Sequence, residues 1–218
     1  MKVRLQPADH GGCGCYRLRW PAAALKAHGC DIDVHDNWTD VWRPVAVGNL
    51  VQVHIEADVV VLQRPMHASL LEMVKALQRD GIAVVVELDD DFHSLPKGHP
   101  ARRGTAAMHD ERSNRMHLRK LCALADMVTC TTPAIAERYA PHGRFRVVPN
   151  FVPASYLDVT RTRDVGLPLR VGWTGSTETH IDDLRVCGDG VATALADTGA
   201  VFHAVGTCLL YTSDAADE

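Results

Sequence analysis

ADVVVLQRPMHASLLEMVKALQRDGIAVVVEL, residues 57–88, holds two apolar runs with one helical period between them. Ala57 to Leu62 is continuous and rich in valine, as in a parallel strand buried on both faces. Arg64-Pro65 ends it, because proline cannot donate to a strand ladder. From His67 to Arg79 the period lengthens, and Leu70, Leu71, Val74 and Leu77 fall on one stripe of a helix. Asp80-Gly81 closes the helix, and Ile82 to Leu88 is a second buried strand. Strand, helix, strand with short links is a βαβ unit with a right-handed crossover. The fold class is therefore α/β, a Rossmann-like parallel sheet with helices on both faces.

The segment before this unit adds two strands and a loop. Lys2 to Pro7 reads as a strand that runs into Asp9-His10-Gly11-Gly12-Cys13-Gly14-Cys15. Gly11, Gly12 and Gly14 permit backbone shapes closed to other residues and let a ligand approach the chain. Tyr16 to His28 then reads as a helix, with Gly29 as its stop. A glycine turn between strand and helix can aim amide N–H groups at a ligand, or it can be a tight turn and nothing more. The spacing is not that of a dinucleotide fingerprint. His10, Cys13 and Cys15 lack a second Cys/His pair, so no metal is expected. Asp31 to Val34 is another strand, and Asn37 to Asn49, with Trp38, Trp42 and Pro44, reads as irregular.

The strand ending at Leu88 runs into Asp89-Asp90-Asp91. Open α/β sheets bind ligands at this end of their strands. The three carboxylates can serve as a base, a hydroxyl acceptor or a metal site, or form a solvated turn that caps the next segment. Adjacent residues cannot all point one way, so one or two of them would serve any site. His93, His99 and His109 lie beyond them without ligand spacing. Ala106 to Ala125 reads as a helix and Asp126 to Thr129 as a strand. Thr132 and Pro133 mark a helix start, as N-cap and first helical residue. Pro141-His142-Gly143 stops that helix before a strand from Phe145 to Val148.

A Pro-rich connector, Pro149 to Pro168, leads to a further strand, Leu169 to Trp173. It breaks into Thr174-Gly175-Ser176-Thr177, with a helical pattern from near His180. Small and hydroxyl residues at a helix start suit an anion, because that end carries unpaired N–H groups and partial positive charge. Gly175, Ser176 and His180 are the candidate contacts there. Ala200 to Val205 is the next strand. The expected organisation is residues 1–150 as one Rossmann-like domain, 151–168 as a linker and 169–207 as the start of a second.

Composition sets the outer limits. A net charge of −4 leaves no footprint for nucleic acid. No run of about 18 apolar residues is present, so no transmembrane helix is expected, while peripheral membrane contact stays open. Seven irregularly spaced cysteines point to free thiols in a reducing, cytoplasmic compartment.

Four segments together carry a family resemblance: GGCGCYRLRWPAAAL (11–25), VVVELDDDFHSLP (84–96), LADMVTCTTPAIAERYAPHGRFRVVPNFVP (124–153) and VGWTGSTETHIDDL (171–184). In their order and spacing the chain resembles glycosyltransferases of the two-Rossmann architecture called GT-B, in particular the bacterial nucleotide-sugar transferases. The resemblance implies transfer of a sugar from a nucleoside diphosphate sugar to an acceptor hydroxyl on a glycan, lipid or protein. It implies no cofactor beyond that donor substrate and no obligatory metal. Gly11, Gly12 and Gly14 would line the acceptor side of the cleft, with Asp89, Asp90 and Asp91 as acidic candidates and no assigned catalytic base. Gly175, Ser176 and His180 would lie near the donor diphosphate. The basic residue and paired glutamates that such enzymes carry later in the C-terminal domain are not present.

Cys208 to Glu218, CLLYTSDAADE, resembles the translation of a sequencing adaptor. On that reading the natural sequence stops near Thr207, and the expectation is a transferase fragment with little or no activity of its own. Two other readings stand beside the transferase. One is a non-catalytic module that binds a nucleotide or sugar. The other is a receiver-like domain suggested by Asp89 to Asp91, which an acidic cluster after an interior strand does not fit.

Overall fold

The computed structural model describes residues 1–36, 45–47, 50–52, 55–95, 111–158, 166–175 and 183–205. Two compact units divide the chain: Met1–Pro96 with Arg102–Asp158, and Lys97–Ala101 with Val159–Glu218.

In the first unit, strand β1 (Lys2–Gln6) leads into a helical run made of α1 (Gly12–Gly14), a π-helical stretch (Cys15–Arg19) and α2 (Trp20–Ala27). Then come β2 (Asp31–Val34), β3 (Val45–Val47), β4 (Leu50–Gln52), β5 (Val59–Gln63), α3 (Ser69–Arg79) and β6 (Ala83–Leu88). The unit closes with α4 (Glu111–Leu124), β7 (Met127–Cys130), α5 (Pro133–Tyr139), β8 (Phe145–Val147) and a 3₁₀ turn at Ala154–Tyr156.

Six strands form one sheet in the order β2-β1-β5-β6-β7-β8, and every pair is parallel. The expected α/β fold, a parallel sheet flanked by helices, is therefore present. The Ala57–Leu88 stretch supplies its centre: Leu62, Val84, Val86 and Leu88 have no exposed surface. Leu70, Val74 and Leu77 of the expected α3 stripe are buried, Leu71 is half-buried, and Met73 joins them at 1% exposed. Leu118, Leu121 and Cys122 of α4 are likewise buried.

Local signals set the element ends. Thr132 caps α5 as read from the sequence, its Oγ1 accepting from the Ile135 amide at 3.3 Å, with Pro133 in the first turn. Gly81 (φ 78°) ends α3 in the left-handed region that side chains rarely adopt. Two expectations are corrected. The helix after the glycine loop starts at Gly12 rather than Tyr16, through α1 and the π-helical stretch. Asn37 to Asn49 is not irregular throughout: Val45–Val47 within it is strand β3, paired antiparallel with β4 just beyond, and each strand is only three residues long. Residues 37–44 lie outside the described part.

The second unit contains β9 (Arg170–Thr174), α6 (Asp183–Val186), α7 (Gly190–Thr198) and β10 (Val201–Val205). β9 and β10 pair in parallel, from Arg170↔Val201 to Thr174↔Val205. None of its described residues is buried, and Val171, Val201 and Val205 expose 41%, 45% and 63% of their surface. A sheet without buried apolar contacts opens readily. The β9 and β10 amides are therefore expected to exchange about a hundredfold faster than those of β5 and β6 in hydrogen-exchange mass spectrometry. Equal protection of the two sheets would contradict this. No described helix in either unit is long and apolar enough to cross a membrane.

Candidate functional site

β1 connects to β2 on one side of itself, and the chain then returns to β5 on the other. The strand order reverses between β1 and β5, so the crevice of the sheet opens at their carboxyl ends. Residues just past three strands meet there: Asp9 after β1, Arg64 after β5, and Asp89 after β6.

Asp9 organises the glycine loop. Its Oδ1 accepts from the Gly11 amide at 2.8 Å and the Gly14 amide at 3.1 Å, and its Oδ2 accepts from Arg64 Nη2. Gln63 holds the loop from below, accepting from the Ala8 amide at 2.9 Å and donating to the Cys13 carbonyl at 3.1 Å. A β-carbon on Gly14 would lie 2.1 Å from the Asp9 carbonyl oxygen, so glycine is required there. Gly11 and Gly12 are less confined, with nearest contacts of 3.4 Å to Asp9 and 3.1 Å to the Tyr16 ring. The loop thus folds around a carboxylate of its own chain, and the Gly11 and Gly14 amides are committed to it.

Arg64 is the only non-glycine residue with positive φ among the described residues, at 48°. Such conformations cost of order 1–3 kcal/mol and persist where the surroundings enforce them. Here its amide donates to the Glu87 carbonyl at 3.0 Å, and its guanidinium lies 6.0 Å from the centre of the buried Phe92 ring. Its Nε is 3.9 Å from Asp89 Oδ1. Burial works against the guanidinium charge, but Asp89, Cys13 and Asp9 outweigh it and raise its pKa further.

The three aspartates separate. The Asp89 side chain is 6% exposed, neither of its oxygens accepts a hydrogen bond, and Arg64 Nε likewise has none. The Thr131 hydroxyl fixes its backbone by donating to the Asp89 carbonyl at 2.8 Å. Cys13 lies against it, and burial followed by the Asp89 charge pushes that thiol up to about 12. The possible ligand atoms of Cys13, Asp89 and Asp90 fall within 4.8 Å of one another. Asp91 turns away to α5. It accepts from the His93 amide at 3.1 Å and the Ser94 hydroxyl at 2.7 Å, and it pairs with Arg138 at 3.1 Å. Burial opposes its charge, but these donors and Tyr139 hold its pKa below the usual carboxylate range. Asp91 is the capping residue of the cluster.

Beside the crevice lies a buried ion pair that the sequence reading missed. Arg17 Nε donates to Glu87 Oε1 at 2.6 Å, with 3% of each side chain exposed. Arg17 Nη1 also donates to the Val148 carbonyl at 2.5 Å and to Asn150 Oδ1 at 3.1 Å. Burial raises the Glu87 carboxyl to about 7, against the pull of Arg17.

In the second unit, the Gly175 amide donates to the Val205 carbonyl at 3.1 Å and so extends the β9–β10 ladder. A β-carbon there would meet the Trp173 ring at 2.7 Å. Ser176 and His180 lie outside the described residues, and α6 begins at Asp183.

No protein-family model matches this chain, and neither does any curated protein.

At the carboxyl ends of β1, β5 and β6, Arg64 Nε and both Asp89 side-chain oxygens are buried without a hydrogen bond. Chemically this end of the sheet offers a carboxylate acceptor next to a fixed cation. The Cys13 thiol stays protonated at neutral pH and is a poor nucleophile. Arg64 was hidden in the sequence because Arg-Pro after a strand reads as a terminator. Glu87 did leave a signal: a carboxylate inside AVVVEL must find a buried partner.

Proposed function

We propose that the first unit is the acceptor-side domain of a two-Rossmann glycosyltransferase, which moves a sugar from a nucleoside diphosphate donor to an acceptor hydroxyl. The observation that carries this reading is Asp89, a carboxylate at the switch point with no hydrogen bond to either oxygen. In this reading an acceptor hydroxyl donates to Asp89. As that oxygen forms its bond to the anomeric carbon, the bond to the leaving diphosphate breaks and Asp89 takes the proton. The family resemblance would put the donor diphosphate near Gly175, Ser176 and His180 of the second unit, stabilised by helix-terminal amides and basic groups with no obligatory metal. Six described cysteines are free, which fits a reducing, cytoplasmic compartment.

Calorimetric titration of the 218-residue protein with simple sugars and with nucleoside diphosphates tests this. Hydrogen bonds to a charged group contribute about 1.5–3 kcal/mol, so Asp89→Asn is expected to weaken sugar binding by roughly 10- to 150-fold. Tight nucleotide binding by the first unit without any sugar binding would replace this reading with a non-catalytic nucleotide module.

A further inference from the structure

We infer that the outer face of α4, with Arg144 at its C-terminal end, is a docking surface for an anionic lipid bilayer. This goes beyond the acceptor-side reading and does not depend on it.

α4 is divided lengthwise by charge. Its inner side carries Asn114, Leu118, Leu121 and Cys122, each at most 1% exposed. After Glu111 the helix, ERSNRMHLRKLCAL, brings in Arg112, Arg115, Arg119 and Lys120 and no further acidic residue. At about 3.6 residues per turn these four fall on one side, opposite the buried one. Arg112 and Arg115 are engaged within the fold. Arg119 and Lys120 are exposed and make no ion pair among the described residues.

Arg144 extends the charged side past the end of the helix. Its Nη2 donates to the Ala123 carbonyl at 2.9 Å and the Ala125 carbonyl at 3.3 Å, so its partners are neutral and its charge stays. Asp126, the next acidic residue along the chain, is held elsewhere: it accepts from Gln78 at 3.1 Å and from the Val84 amide at 2.7 Å. The segregation is local. The chain as a whole is at −4, and α3 beside α4 sets Lys75 against Glu72 at 2.7 Å. On α5, Glu137 stands next to Arg138.

Charge complementarity selects an anionic partner, and the make-up of the face selects lipid. A basic face on an amphipathic helix suits a membrane surface. The helix has 14 residues, about 21 Å, and its outer side has no aromatic anchor of the kind that protein interfaces are built around. Met116 stands in the middle of it, 43% exposed. Between headgroups it can bury its thioether beside the aliphatic stems of Arg119 and Lys120. A nucleic-acid backbone offers a methionine nothing to bury against. Each cation held at an anionic bilayer strengthens binding roughly fivefold.

The test is flotation of the 218-residue protein at low salt with two kinds of vesicle, phosphatidylcholine alone and phosphatidylcholine mixed with phosphatidylserine. Binding to the anionic vesicles is expected to be at least tenfold tighter and to be lost at high salt. The double variant Arg119→Ala, Lys120→Ala is expected to weaken it about 25-fold while its thermal unfolding stays that of the parent. Lys26→Ala, which removes an exposed cation paired with Asp33 at 2.8 Å, is the control and should change binding less than about twofold. Equal binding to both vesicles, no binding to either, or anionic binding that the double variant retains overturns the proposal. Capture of duplex DNA without capture of vesicles also overturns it, and replaces lipid with nucleic acid.

Discussion

Replacing Arg17 with methionine is expected to lower the unfolding free energy by about 3–5 kcal/mol at pH 8, the usual loss when one partner of a buried ion pair is removed. At pH 5 the loss is expected to be clearly smaller. Glu87 titrates near 7 in the folded chain against its ordinary 4.5, so the folded state holds this proton more tightly than the unfolded state. Its contribution to stability is fully present below about 4.5 and is lost as the pH rises through 7. At pH 8 the carboxylate therefore depends on Arg17, and methionine leaves it buried with Oε1 unpaired. At pH 5 the protonated carboxyl needs no cation, and removal of Arg17 also removes a buried charge. Urea denaturation of the variant at the two pH values measures both losses, and equal losses would contradict the assignment. Glu87→Gln is expected to flatten the stability profile between pH 4.5 and 7.

Gly14→Ala separates local from tertiary reasoning by its sign. Gly14 has helical backbone angles, φ −61° and ψ −37°. Helix propensity alone would have alanine stabilise the chain by about 1 kcal/mol. Contact geometry gives the opposite answer, since the new β-carbon would sit 2.1 Å from the Asp9 carbonyl oxygen. That neighbour is backbone and cannot rotate away. Overpacking against it is expected to destabilise the first unit by about 3 kcal/mol, outweighing the propensity gain. The Asp9–Arg64 pair should be lost with the loop, and sugar binding with it. Gly11→Ala is the control, because its nearest neighbour is 3.4 Å away and it should change stability by about 1 kcal/mol or less. Thermal unfolding of the two variants decides between the readings. A Gly14→Ala protein as stable as the parent would mean that the loop is not held as described.

The sheet was legible because its signals are local. The valines of β5 and β6 and the stripe of α3 fall within one or two residues of where periodicity put them. Thr132 and Pro133 mark their helix start through contacts three residues apart. The site was half legible. A glycine loop and an acidic strand end can be read directly, and their meeting at the switch point comes from strand order. The contacts that join them cannot be read this way. The Asp9–Arg64 contact joins residues 55 apart, and Arg17 reaches residues 70, 131 and 133 positions away. Nothing in a linear window encodes such partners. The division of labour within Asp89-Asp90-Asp91 was hidden for the same reason, since Asp91 is claimed by Arg138 and Tyr139 of α5.

The reach of Arg17 also bears on how the protein is made. Its last anchor, Asn150, leaves the ribosome 133 residues after it. At ordinary elongation speeds of roughly 5–20 residues per second, that interval is on the order of ten seconds. Throughout it the nascent chain carries an arginine, and after Glu87 emerges a carboxylate, whose enclosure is incomplete. The N-terminal helical run packs early on β1 and β2 through Leu5, Leu18, Ala22 and Ile32, but the Arg17 contacts with Val148 and Asn150 wait until β8 has arrived. The unit is therefore committed late in translation, and a pause or cleavage before Asn150 would release a chain with its central strands formed and its seam open.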